Sequence, residues 1–177
     1  MTTEILFIQL TRGVKLMAFY KIIGSGSLIL SALIMYHEIQ KYEKLKLRQI
    51  NAFILLIEYI KNQIECFLLP IDVIIQNCNE DLIKCCGINM NYKKAEKLDD
   101  LIESTNFYCG DECIELIKQF SSDFGQGYIG EQLRSCDYYR SELIKQRDRI
   151  KEKSSKEKKL RLALCLSASF SLILLLI

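Results

Sequence analysis

Residues 50–67 read INAFILLIEYIKNQIECF. Ile50, Phe53, Ile57, Ile60, Ile64 and Phe67 recur three and four residues apart, and Glu58, Lys61 and Glu65 fall off that row. A row of this period lies along one side of an α-helix, whereas a strand would alternate every second residue. Leu55 and Leu56 make the stripe wider than the seam of a two-stranded coiled coil, so the helix belongs in a bundle. Pro70 cannot sit inside a helix. It ends this one or opens the next at its first turn, with Ile71, Ile74 and Ile75 facing inward.

Downstream, residues 77–91 contain Gly87 and several Asn and read as a break. A short helix is expected around residues 93–104. Another is expected over residues 111–120, with acids in its first turn and Cys113, Leu116, Ile117 and Phe120 on one face. Phe124-Gly125-Gln126-Gly127-Tyr128-Ile129-Gly130 is a glycine-punctuated turn. The last long helix starts near Glu131, with Ile129, Leu133, Cys136, Leu143 and Ile150 marking its inner face, and residues 145–159 are almost wholly charged or polar. The expected core pairs the helix of Ile57, Ile60 and Ile64 with that of Leu133, Cys136 and Leu143, antiparallel.

Upstream of the quoted stretch, residues 22–36 run IIGSGSLILSALIMY without a charge, and residues 17–20 extend them across Lys21. A spanning helix needs about 20 apolar residues, and a lysine near its end can reach the headgroups. Gly24, Ser25, Gly26 and Ser27 form a small-residue patch of the kind that lets helices approach closely in a bilayer. The chain closes on LALCLSASFSLILLLI at residues 162–177, again without a charge. The other readings of the first segment are a core helix and a signal peptide, but Met35-Tyr36-His37-Glu38 is a poor cleavage site. The expected organisation is a non-native or mis-called extension at 1–16, a transmembrane helix at 17–36, a cytoplasmic helical domain at 37–161 and a transmembrane helix at 162–177. The inner flanks carry Lys41, Lys44, Lys46 and Arg48, then eight bases between Arg147 and Arg161. The positive-inside rule therefore turns the domain to the cytoplasm.

The 177 residues include 24 Lys and Arg against 22 Asp and Glu, one Pro and no Trp. A net charge of +2 lacks the basic bias of a nucleic-acid binder. The eight cysteines are read as free and mostly buried, because helices with their own apolar faces connect them. Cys109-x3-Cys113 supplies only two ligands and there is no CxxC, so no metal is expected. Gly125-x-Gly127-x-x-Gly130 matches the letters of a dinucleotide fingerprint but follows a helix rather than a strand, and is read as helix caps and a tight turn. His37, the one histidine, has no partner pattern. No catalytic residue, cofactor or small-molecule substrate is therefore expected.

The candidate partner interface is the turn, with Phe124, Gly127, Tyr128, Glu131 and Gln132. Aromatics, glycines that allow close approach and an acid at a helix start suit a protein contact. Phe124 and Tyr128 folding back onto the core is the competing reading.

Three features carry a resemblance. Gln63-Ile64-Glu65 stands with Phe67 and Pro70; Gly127-Tyr128 precedes Glu131-Gln132-Leu133; and Cys136-Asp137-Tyr138-Tyr139 follows. With the terminal apolar segments, these resemble the stage III sporulation protein AB family of endospore-forming bacteria, over about residues 17–177. Gly130 departs from the pattern, which leads one to expect a charged residue there. The resemblance implies an all-α membrane subunit of the channel complex linking mother cell and forespore, on the mother-cell side of the outer forespore membrane. It also implies similarity to the platform protein of type II secretion systems. The implied partners are a secretion-type ATPase, other channel-complex membrane proteins and membrane lipid. A membrane-surface sensor or scaffold unrelated to secretion, and a membrane-bound enzyme with an unrecognised site, are the alternatives.

Overall fold

The computed structural model describes residues 2–88, 92–94, 97–125 and 127–176, with the side chains of residues 1–22, 25, 94, 165, 169 and 172–177 outside that description. The chain is all-helical among these residues: α1 (Thr2–Phe67), α2 (Ile71–Gln76), α3 (Glu80–Cys86), a 3-10 turn at Tyr92–Lys94, α4 (Leu98–Glu103), α5 (Asp111–Asp123) and α6 (Ile129–Leu176). One antiparallel bridge, Ile88 with Thr105, is the nearest thing to sheet. Two compact units result, Tyr42–Ser154 and the pair of segments Met1–Lys41 and Ser155–Ile177.

The central unit holds the core. Ile50, Phe53, Ile57, Ile60 and Ile64 of α1 are buried as their spacing predicts, together with Cys136, Tyr139 and Leu143 of α6. Ion pairs cross between the two helices at Glu58–Arg140 (3.3 Å) and Lys61–Asp137 (2.7 Å). Moving three residues forward along α1 moves three back along α6, so the pair is antiparallel. Such solvent-exposed pairs are weak and set register more than stability. The apolar stripe does the holding.

Some expectations need correcting. Phe67 and Leu55 lie on the predicted stripe but are exposed, and Ile129 at the start of α6 is nearly half exposed. Each stands where the partner surface stops, at a helix end or on the far side of the row. Residues 77–91 are not simply a break, because α3 forms inside them. Asn79 caps it, its side-chain oxygen accepting from the Asp81 amide at 2.8 Å, and Lys84 pairs with Glu80. Gly87, with φ +84°, ends it in the left-handed region. Pro70 opens α2 as its N-cap, and Ile74 and Ile75 are buried behind it. The helix expected at 93–104 is a 3-10 turn and then α4, with residues 95 and 96 outside the description.

The terminal unit differs. Among its described side chains none is buried, while Ile23, Leu30, Ile34, Met35, Leu160, Leu164 and Phe170 are exposed. Among the described residues no helix is long and apolar enough to cross a membrane. Within the expected anchors at 17–36 and 162–177, the side chains of residues 17–22, 25, 165, 169 and 172–177 lie outside that description. Residues 2–16, read as an extension, are helical as the start of α1.

Candidate functional site

The turn between α5 and α6 is built from backbone outward. α5 closes when the Phe124 amide donates to the Phe120 carbonyl at 3.0 Å. Gly125 (φ +87°) and Gly127 (φ +125°) then take backbone shapes that side chains resist. A Cβ on Gly127 would also lie 2.5 Å from Glu131 Oε2. Glu131 folds back to accept the Tyr128 amide at 3.2 Å, the reciprocal half of a capping box. Gln132 Nε2 donates to the Gly127 carbonyl at 3.1 Å. Gly125 and Gly127 therefore form the turn, as read, whereas Gly130 lies inside α6, and no strand precedes them among the described residues.

The five candidate residues divide. Phe124 is 8% exposed and packs at 5.2 Å from Phe120, which meets Tyr139 edge-on at 5.6 Å. Phe124 belongs to the core, as the competing reading had it. Tyr128 is 85% exposed and points away. Gly127, Glu131 and Gln132 organise the turn that presents it. Behind them the Tyr139 hydroxyl donates to Asp123. Burial and then that bond push the Tyr139 phenol up to about 12.

The spacing did not reveal that this turn shares a cleft with the other end of α1. Ile64, Leu68, Pro70 and Ile71 line it on one side and Phe124, Gly125, Ile129 and Gln132 on the other, around about 250 Å³. Leu68 is 66% exposed with φ +54°, left-handed backbone on a residue that disfavours it. Its closeness to Pro70 was the one available signal. The helix has to stop there without a glycine.

A second groove, of about 610 Å³, runs between α1 and α3, with Leu47, Leu55, Leu82 and Cys85 on its apolar walls and Lys44, Arg48 and Asp81 at its edges. Arg48 reaches the Cys85 sulfur at 3.2 Å. Of the described cysteines, Cys78, Cys86, Cys109, Cys113 and Cys136 are buried, Cys85 is partly so and Cys66 is exposed. Burial raises the thiol of each buried one, Cys78 to about 11 and Cys109 and Cys136 to about 12. A thiol held neutral in this way is a weak nucleophile at neutral pH. Among the described residues no group of three or more His, Cys, Asp or Glu is placed to hold a metal.

No curated protein and no solved structure matches the chain. Residues 21–177 match the family described as Stage III sporulation protein AB, nearly the whole length. The chain belongs to the stage III sporulation protein AB family.

Proposed function

We propose that this sporulation-family chain is a membrane-anchored, non-enzymatic assembly subunit of the channel complex between mother cell and forespore, and a platform for a secretion-type ATPase. The carrying observation is the contrast between the two units. Tyr42–Ser154 buries a full apolar core, whereas the terminal unit has exposed Ile23, Leu30, Ile34, Met35, Leu160, Leu164 and Phe170 and none of its described side chains is buried. Water does not favour such a surface, and a bilayer does. With the basic flanks after residue 40 and before residue 162, this supports two anchors and a cytoplasmic helical domain on the mother-cell side of the outer forespore membrane. The ATPase contact is assigned to the turn that presents Tyr128.

The test is fractionation followed by co-purification from sporulating cells. The full chain stays in the membrane through an alkaline carbonate wash and brings a secretion-type ATPase with it in mild detergent. Tyr128→Ala reduces the recovered ATPase at least tenfold with helicity unchanged. Glu131 is left intact because it caps α6. Release of the chain by carbonate removes the anchors from the proposal, and full ATPase recovery with Tyr128→Ala moves the contact elsewhere.

A further inference from the structure

The cleft at the end of the central unit joins two segments that lie far apart in sequence. Ile64, Leu68, Pro70 and Ile71 face Phe124 and Ile129 across it. Leu68 and Ile129, which line it, leave large apolar surfaces open, and so do their chain neighbours Phe67 and Tyr128. The volume of about 250 Å³ is below that of ordinary small-molecule pockets but suits one large apolar side chain.

Charge decides what kind of chain brings that side chain. Residues 62–76 and 119–133, the two segments that build the cleft, contain Glu65, Asp72, Asp123 and Glu131 and no Lys or Arg. The chain as a whole is net positive, so this end is acidic against the average. Lys61, the nearest base before the first segment, is held by Asp137. Lys118 and Arg134 flank the second segment, and Lys97 and Asp99 both line the adjoining cleft. Glu65, Asp72 and Glu131 each stand next in sequence to a residue that lines the apolar slot, and carboxylates so placed fit a basic segment with an apolar anchor.

We propose that this cleft is a docking site for a basic amphipathic segment of a partner protein, which seats one large apolar side chain between Leu68 and Ile129 and sets Lys or Arg against Glu65, Asp72 and Glu131. The proposal rests on the platform reading and names the chemistry of its contact. The α1 end contributes as much of the site as the turn does.

The full chain in detergent is titrated with a fluorescent helical peptide carrying one Phe flanked by lysines, and with the same peptide carrying glutamates instead. The lysine peptide binds and the glutamate peptide does not. Affinity falls at least tenfold between 50 and 300 mM salt, on the order expected for exposed charges. Leu68→Ser with Tyr128→Ser weakens binding at least tenfold, and both side chains are exposed enough for the fold to survive. Glu65→Lys gives the same loss should the double variant lose helicity. Equal binding of the two peptides, or binding that neither variant alters, overturns the proposal. So does concentration-dependent self-association that the double variant abolishes, which makes a second copy the occupant, or binding to anionic phosphatidylglycerol vesicles through Leu68 and Tyr128. Recovery of the ATPase is scored separately. An ATPase retained by the double variant sinks the docking site and spares the platform, while no ATPase with wild type sinks the platform and leaves the peptide result to stand.

Discussion

Gln49 is 2% exposed and precedes the first residue of the apolar row. Its Nε2 donates to the carbonyls of Cys86 (2.8 Å) and Asn106 (2.7 Å), and its Oε1 accepts from the amides of Tyr108 (2.6 Å) and Cys109 (3.1 Å). One side chain thus satisfies four backbone groups of two connecting segments and ties them to α1. Gly87 makes room for it: a Cβ there would lie 2.6 Å from the Asn106 carbonyl oxygen and 2.8 Å from Gln49 Nε2. Gln49→Leu keeps the bulk and orphans all four groups. The expected loss is about 3 kcal/mol or more, since each unsatisfied buried group costs about 1–3 kcal/mol. Urea unfolding followed by helicity measures it. A loss below about 1 kcal/mol would mean that water reaches these groups.

At the scale of elements, the α1–α6 pair is the frame and the shorter helices are packing. Ile60 is fully buried in the face that α1 shares with Cys136, Tyr139 and Leu143. Ile60→Asp places an unpaired carboxylate there, costing several kcal/mol out of a total on the order of 5–15 kcal/mol. The full chain with this change is expected to lose its cooperative melting transition. A wild-type melting curve would show that the helices pair through another face. The α3 segment illustrates the opposite case. Its seven residues have no long periodic row, and what defines them is Asn79 at one end and Gly87 at the other. Those stop and start signals were in the sequence, but Gly87 and the neighbouring Asn residues read equally well as a loop.

At the scale of the molecule, the buried thiols couple stability to pH. The folded state holds Cys78 up to about 11 and Cys109, Cys136 and Tyr139 up to about 12, by desolvation first in each case. A raised folded value means that the protonated form is favoured in the fold. For the thiols that contribution is complete below the unfolded value of about 8.5 and is lost as pH rises toward the folded values. The melting temperature is therefore expected to fall between pH 8.5 and 11, in reductant, with no loss from these groups between pH 6 and 8. A melting temperature that holds constant to pH 10.5 would contradict the burial. Below pH 8, among the described cysteines, a maleimide should modify Cys66 first and Cys85 next, while the five buried thiols resist.

What the sequence determined by itself is the helical class and the main pair. The three-and-four spacing of Ile50, Phe53, Ile57, Ile60 and Ile64 admits one secondary structure and one inward face, and Pro70 fixes where it stops. The glycine turn and the buried nature of the cysteines were legible for the same local reason. The tertiary structure decided the rest, because it depends on which backbone groups meet across long separations. Gln49 looks like an ordinary polar residue until Cys86, Asn106, Tyr108 and Cys109 arrive around it. Phe124 and Tyr128 are equivalent aromatics in the sequence, yet only Phe124 finds Phe120 and its neighbours to pack against, leaving Tyr128 outward. The cleft between Leu68 and Ile129 exists only because antiparallel pairing returns α6 to the end of α1, a juxtaposition no local spacing encodes.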